Sequence, residues 1–578
     1  RPAISLGMRD FIGTGWYSSE YMAGTKTIGN LETTLGLGFG RLTGKNSFSN
    51  PLRTISSSFE KRGGKTVGKG GTLGGINWFS GDASLFYGLN YRLGKKIILA
   101  LEYTPDLMSI ESRYYYNLKS HWNLGVSYQL NDFVNLAAQY LHGDQISLTA
   151  NISINPDRPP LDGGKELAPV PMRIREPGFT QLEQSDEEII RKVLAADNFK
   201  IYQLKISDNS VRIDVENNKF RSTAQAVGRV ASTLQRFTSD VIKTANISLH
   251  SRGVQVASYR VHLDEIAQQQ FGNVKVHDDQ NAIYAVELPF ITKKNNFERI
   301  SWGLGPYVTH RLFNPDLPFS AEVGLGLEGS YQFIQGLKLS GALRKSVLTN
   351  LTDNSRRSNS VLPRVHSDWP LYDFAGQKGH IHMLKFSYVK NLAPGFYGRA
   401  HAGLLEPFYA GFGGELLYKP AKSPFAIGID MHRVRKRDYD MLFDLRDYEA
   451  TVGHLSLYFD AGGMFDVEVN AGKYLAGDYG ATTTISRKFA NGWEVGGYAT
   501  LTDVPFETFG EGSFDKAIYV NIPIDWIISS PSKAKRSLTL RPITRDGGAN
   551  LASARSLYNY IEGSQNAQFQ REYGRLWK

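Results

Sequence analysis

Phe465-Asp-Val-Glu-Val-Asn-Ala-Gly-Lys473 decides how the chain is read. Phe465, Val467, Val469 and Ala471 alternate with Asp466, Glu468, Asn470 and Gly472. Past Gly477-Asp478-Tyr479-Gly480 a threonine-rich run reaches Phe489. Ala490-Asn491-Gly492 then turns the chain into Trp493, Val495, Gly497 and Ala499, alternating again. A longer loop, 503–513, leads to Val520, Ile522, Ile524 and Trp526 on one face, with Tyr519, Asn521 and Asp525 on the other. Period two means β-strands with one apolar and one polar face. Segments of about ten residues, joined alternately by short turns and longer loops, are the pattern of a transmembrane β-barrel. A soluble β-sandwich also alternates, but its strands run to about five or six residues. Trp493 and Trp526 sit at segment ends, where an interfacial girdle would lie. Asp466, Glu468 and Asn470 in a row suit a wet lumen.

Outward from this stretch the pattern recurs. Residues 299–526 hold twelve segments, near 299–311, 319–331, 335–347, 379–390, 395–405, 408–419, 424–436, 449–460, 464–475, 480–489, 492–502 and 514–526. Residues 1–155 hold about eight, near 2–11, 16–28, 31–43, 81–93, 96–105, 114–130, 133–142 and 144–155. Long loops face outward and short turns face the periplasm. Gly29-Asn30 and Asn131-Asp132 are then periplasmic, and the even strand count returns the chain to the periplasm. A proline-rich linker, 156–180, follows. Residues 181–292 change character. Helical spacing at 186–196 opens on acidic residues, a hairpin turns at Asp208-Asn209-Ser210, and a helix capped by Ser222 runs to Phe237. Two strands flank Ser251-Arg252-Gly253, and a short helix covers 262–271. The expected fold is mainly β: two tandem transmembrane antiparallel β-barrels with an inserted periplasmic α+β domain. One large barrel with the insert is the alternative. Residues 527–578 read as a periplasmic tail ending in a helix through Leu557, Tyr560 and Ile561.

The composition agrees. At 578 residues the chain exceeds one ordinary domain. Mean hydropathy is negative, and no apolar run approaches the ~18 residues a membrane helix needs. A membrane-spanning form must therefore be a closed barrel, which satisfies every backbone group in lipid. Glycine (58) and aromatics (12%) are high. There is no cysteine, which rules out disulfides and thiolate metal sites. A net charge of +10 favours anionic partners such as acidic polysaccharide or lipopolysaccharide. No basic segment interleaved with stacking aromatics points to nucleic acid.

Longer motifs carry a resemblance. Ala471-Gly-Lys-Tyr-Leu-Ala-Gly-Asp478, Phe509-Gly-Glu-Gly-Ser-Phe-Asp-Lys516 and Ile518-Tyr-Val-Asn-Ile-Pro523 resemble the YjbH-like (GfcD-like) outer-membrane proteins of exopolysaccharide and capsule loci. Val434-Arg-Lys-Arg-Asp-Tyr-Asp440, Arg446-Asp-Tyr448, Arg541-Pro-Ile-Thr-Arg-Asp-Gly-Gly548 and Gly7-Met-Arg-Asp-Phe-Ile-Gly-Thr-Gly15 fit as well. The resemblance implies an outer-membrane, non-enzymatic protein, possible as a lipoprotein, that takes part in exopolysaccharide or capsule export or assembly. It also implies partners among periplasmic assembly proteins encoded nearby. A diffusion or uptake porin and a barrel-borne hydrolase are the other readings. The family has further sequence upstream of the Gly7–Gly15 motif. The strand at 2–11 is therefore expected not to pair with the strand at 144–155.

The motifs for chemistry are few. Gly63-Gly-Lys-Thr66 lacks the first glycine of a P-loop, since Phe59 stands there. No His-Glu-x-x-His or Gly-x-Ser-x-Gly occurs. His380 and His382 share a strand face without a third ligand at useful spacing. No cofactor or metal is expected. The charged loops are the candidate polysaccharide contacts: Arg356, Arg357, Arg364 and His366 beside Trp369, and Arg433, Arg435 and Arg437. Arginine with an aromatic platform suits acidic sugars, through charge-assisted hydrogen bonds and ring stacking.

Overall fold

The structure is a computed structural model. It describes residues 1–10, 15–63, 78–109, 111, 117–161, 166–175, 182, 184–271, 282–290, 299–312, 317, 319–353, 357–462, 465–509, 513–528, 530–541, 545–553 and 556–578. The chain divides into two compact units, one of residues 1–156 with 510–513, the other of 157–509 with 514–578.

The first unit is an antiparallel meander of eight strands: β1 (Ala3–Arg9), β2 (Ser19–Ile28), β3 (Leu31–Gly40), β4 (Ala83–Leu93), β5 (Ile97–Tyr103), β6 (Trp122–Gln129), β7 (Val134–Leu141) and β8 (Gln145–Ile152). Each pairs with the next. β1 and β8 are the two edges, and no pairing joins them among the described residues. Alternation sets the faces. In β6, Trp122, Leu124, Val126 and Tyr128 are exposed, while Asn123 is buried and Gly125 and Ser127 half-buried. Residues 64–66 of the glycine-lysine motif lie outside the described residues.

The second unit contains the insert and a larger sheet. The insert has α1 (Glu187–Ala196), β9 (Phe199–Ile206), β10 (Ser210–Asn217), α2 (Thr223–Phe237), β11 (Thr244–Ser251), β12 (Val254–His262), α3 (Leu263–Phe271) and β13 (Ile283–Ala285). The sheet order is β13-β12-β11-β10-β9, with β10 and β11 parallel and the other pairs antiparallel. α2 is the crossover that a parallel pair requires. Asp186 caps α1 by accepting from Ile189 N–H, and Ser222 caps α2 by accepting from Gln225 N–H. Val211, Ile213 and Val215 alternate inward and pack with Ala226, Val227, Val230 and Leu234 of α2. The linker is less free than its prolines suggested. Met172 joins this core, and Arg175 donates to the carbonyls of Gln235 and Ile242. Burial, with Arg173 alongside, pushes the Arg175 guanidinium down to about 10, which still leaves it charged at neutral pH.

The larger sheet is an antiparallel meander: β14 (Ile300–Leu312), β15 (Phe319–Ile334), β16 (Leu337–Thr349), β17 (His380–Ala393), β18 (Phe396–Leu404), β19 (Tyr409–Tyr418), β20 (Phe425–Arg437), β21 (Leu445–Asp460), β22 (Asp466–Lys473), β23 (Tyr479–Lys488), β24 (Glu494–Thr502), β25 (Asp515–Pro523) and β26 (Lys535–Leu540). The twelve strands read between 299 and 526 are present. A thirteenth comes from the region read as tail, where Arg536-Ser-Leu-Thr-Leu540 alternates too briefly to stand out. The last expected strand stops at Pro523, and Ile524–Ile528 is a helical turn instead. β14 and β26 are the edges and no pairing closes them among the described residues. The closed second barrel expected from sequence is therefore not shown. No helix of the described residues is long and apolar enough to cross a membrane.

This sheet is inside out relative to a soluble protein. On β20, Phe425, Ile427, Ile429 and Met431 are exposed, while Ala426, Gly428, Asp430 and His432 are buried. On β21, Leu455 and Leu457 are exposed, while His454 and Ser456 are buried. Exposed aromatic pairs stack at the short-turn end, Phe396 on Tyr418 and Phe425 on Phe459, with centroids 4.4 and 4.8 Å apart. The girdle reading of Trp493 is corrected: it is buried, edge-on to Trp526.

Candidate functional site

The register of the second sheet brings its buried polar residues into rows. Arg399 on β18 lies opposite Glu415 on β19, Glu415 opposite Asp430 on β20, and Asp430 opposite His454 on β21. Arg399 Nη2 is 3.2 Å from Glu415 Oε2. Asp430 Oδ2 is 3.2 Å from His432 Nδ1 and 3.7 Å from His454 Nδ1. A second row runs from His401 through Gly413 to His432. Gly413 is required there, because a Cβ would fall 2.0 Å from the His432 ring. Further along the same face come Asn470, Thr482, Ser486, Glu494 and Thr500, all buried.

Residues 545–553 and 556–578 lie against this face. At the long-loop end, Asp546 is fully buried and its Oδ1 accepts N–H bonds of 2.9 Å from Val365, His366 and Ser367. Its Oδ2 accepts from Ser367 Oγ at 2.5 Å. Gly548 N–H donates to Asp478, Leu475 N–H to the Ala549 carbonyl, and Ala552 N–H to Glu406. Arg399 donates to the Ser553 carbonyl, and Leu557 N–H donates to Glu415. The next helix, α5 (Ser556–Ile561), stacks Tyr558 on Tyr458 at 3.9 Å. Lys488 bridges Asp466 and Glu562, and α6 (Asn566–Arg571) sends Arg571 to Asp460 and Asp466. Buried charges persist only when paired and hydrogen-bonded, and this segment supplies the partners.

The segment ends on the insert. Arg221 pairs with Asp525 and Glu572, Arg229 donates to the Lys578 carbonyl, and Tyr560 O–H donates to the Ser251 carbonyl. The insert also holds short turns of the sheet directly. Asn391 exchanges hydrogen bonds with Gln255, Arg221 donates to Asn491, and Gln335 donates to Gly253. Residues 545–578 thus run from the long-loop end to the short-turn end, along the polar face.

The sequence-chosen loop residues do not form one surface. Arg356 lies outside the described residues. Arg357 and Arg364 are exposed. His366 is half-buried, with Nε2 3.7 Å from Glu406. Trp369 opens α4 (Trp369–Gly376) and lies under the Arg311 guanidinium at 4.0 Å. Arg433 and Arg435 share the apolar, outward side of β20 and pair with Glu449 and Asp447. They do not line the polar face. Arg437 is fully buried and donates to the carbonyls of Ile381, Glu406, Met441 and Leu442, so its guanidinium is committed to holding loops. His380 and His382 stand 6.0 Å apart, and no group of metal-binding spacing occurs among the described residues. Missed from sequence were Arg399, Glu406, Glu415, Asp430 and Asp546. The polar side of the alternation marked the strand residues among them. Asp546 stood inside the family-like motif 541–548, but nothing there marked its partners, which lie about 180 residues away.

Residues 1–563 match the family model described as exopolysaccharide biosynthesis protein YbjH. The chain belongs to the YjbH family. A protein of Escherichia coli (strain K12), described as an uncharacterized lipoprotein, YjbH, is 27% identical over 587 residues, spanning 96% of this chain and 81% of that one. Two solved structures show slight similarity. Salmonella typhi OmpF in complex with daunomycin has a TM-score of 0.22 at 10% identity, over 39% of this chain and 85% of that chain. The FrpB iron transporter of Neisseria meningitidis (F5-1 variant) has 0.18 at 9%, over 91% and 75%. Likeness at that level carries no argument. The YjbH membership rests on sequence, and the physical case rests on the sheets.

Proposed function

We propose that this YjbH-family chain is a bacterial outer-membrane protein whose two sheets close as transmembrane barrels, and that it takes part without catalysis in exopolysaccharide export or assembly. The observation that carries the membrane half is the burial of β20, apolar residues out and charged residues in. Exposed apolar surface continued over many strands fits lipid and not water. Family membership supports the exopolysaccharide half. The insert, held against the short turns, is then periplasmic and available to assembly proteins there. The exposed Arg357 and Arg364 and, apart from them, the Arg311–Trp369 stack each offer chemistry that suits an anionic polysaccharide. Arg433 and Arg435 lie at lipopolysaccharide height on the outward side.

Two measurements test this. Protease added outside intact cells should spare 186–285, while the same protein in opened cells is cut there. Secreted polysaccharide should fall in a strain lacking the protein and return on complementation. Cleavage of the insert in intact cells reverses the topology. An unchanged polymer yield sinks the exopolysaccharide role.

A further inference from the structure

The covered polar face carries a consequence for transport. The groups that hold residues 546–557 are carboxylates and a guanidinium: Asp478, Glu406, Arg399 and Glu415. They grip main-chain N–H and C=O groups of Gly548, Ala552, Ser553 and Leu557. A face built to be permanently dry would present apolar residues to an apolar segment, since buried ionic groups give little net stability. Here the face keeps its acids, its base and the histidines 401, 432 and 454, and both ring nitrogens of His401 lack hydrogen-bond partners among the described residues. Such a face would be well solvated in water.

One residue joins the two obstructions. Asp546 caps the amides of residues 365–367, in the loop that also leads into α4. That loop is folded in over Tyr409, whose O–H donates to the Val365 carbonyl, and Tyr372 O–H donates to the Arg437 carbonyl. Lys436 donates to Arg364 and Asp368. Loss of the Asp546 carboxylate therefore loosens the inward loop and the threaded segment together.

We infer that the second sheet encloses a latent conduit for hydrophilic solutes, closed in this structure by residues 545–553 and 556–561 and latched by Asp546. The inference rests on the reading of this sheet as a closed membrane barrel. The chain has no cysteine, so a single Ala549→Cys, at a buried position of the segment, reports its place without background.

The experiment uses the full chain carrying Ala549→Cys, reconstituted in phosphatidylcholine bilayers, with and without Asp546→Ala. Folding is checked by heat-modifiable gel migration. The parent should pass no stepwise current in potassium chloride and should react slowly with a charged maleimide. Asp546→Ala should show current steps, and its labelling should run about tenfold faster, the factor equivalent to about 1.4 kcal/mol lost from the latched form. Ser367→Ala, which removes one bond to Asp546, should move both readouts the same way and stands in if Asp546→Ala misfolds. A parent that conducts openly overturns the inference. So does a variant whose introduced thiol labels freely while no current flows, or a folded variant unchanged in both. A chain that never enters the bilayer, seen by flotation, removes the membrane reading itself and is distinct from those outcomes.

Discussion

The first and second sheets share one alternation and differ in what lies against their polar sides. In the first, the polar positions of β6 are mostly half-buried. Its charges gather at the long-loop end, where Arg62 meets Glu20 and Arg41 meets Asp106 and Glu111. In the second, an unbroken row from Arg399 to His454 is sealed by residues more than a hundred positions away. The strand pattern decides which side is apolar and exposed. Whether the other side is wet or dry is decided by remote chain, through hydrogen bonds that leave no period in the sequence.

The largest effect that would break this comparison is at Arg399. Arg399→Ala removes a guanidinium that lies 3.2 Å from the buried Glu415 carboxylate, and truncating one member of a buried pair costs about 3–5 kcal/mol. Urea unfolding in bilayers should show a loss of that size. A loss below about 1 kcal/mol would mean that water reaches Glu415, and the second polar side would then be as wet as the first.

If both sheets span a membrane as proposed, their exposed apolar sides should behave alike. Leu124→Arg on β6 and Leu455→Arg on β21 each place a charge in the apolar band, where the cost is about 2–4 kcal/mol near mid-membrane. Folding into bilayers of matched thickness measures it. If Leu124→Arg falls within the ~0.5 kcal/mol of an ordinary surface change, the first sheet does not face lipid as the second does.

These contrasts also show what was legible in the sequence. Strand positions were, because alternation over eight or more residues is a local signal: β4 and β6 lie where Ala83–Leu93 and Trp122–Gln129 alternate. The insert's hairpin and the cap of α2 were, because Ser222 and the turn at 208–210 act on near neighbours. β26 was not, since its six residues offer only Leu538 and Leu540 against Ser537 and Thr539. The course of residues 545–561 was not either. Several of its anchors, at Gly548, Ala552, Ser553 and Leu557, use main-chain groups, which every residue possesses. Arg437 was misjudged for a related reason: a charge in a charged run looks solvated, whereas four carbonyls converge on this one.

A matched pair sharpens the comparison at smaller scale. Thr25 and Thr34 join hydroxyls at 2.8 Å on the first sheet, half-buried. Thr482 and Thr500 do so at 2.8 Å on the second, buried, with Tyr474 O–H also on Thr482 at 2.7 Å. Thr500→Val should cost about 1–3 kcal/mol, because a buried hydroxyl is left short of a partner. Thr34→Val should cost less than about 1 kcal/mol, since water reaches Thr25. Equal losses would show that the two polar sides do not differ in hydration.

The smallest expected effect lies on the strand that carries the membrane argument. Arg433 pairs with Glu449 at 3.2 Å, but their side chains are 66% and 47% exposed. Exposed pairs gain little, because solvent screens the attraction and two long side chains lose freedom; about 0.2–1 kcal/mol is usual. Arg433→Ala should therefore change unfolding by less than about 1 kcal/mol, and about 0.5 M salt should reduce even that. Arg399→Ala should keep its full cost in the same salt, because a buried pair is screened much less. Arg433 lies one residue from His432 and on the opposite side of β20. A salt-insensitive loss of several kcal/mol at Arg433 would mean that this side is also covered, and the outward assignment of Ile429 and Met431 would fall with it.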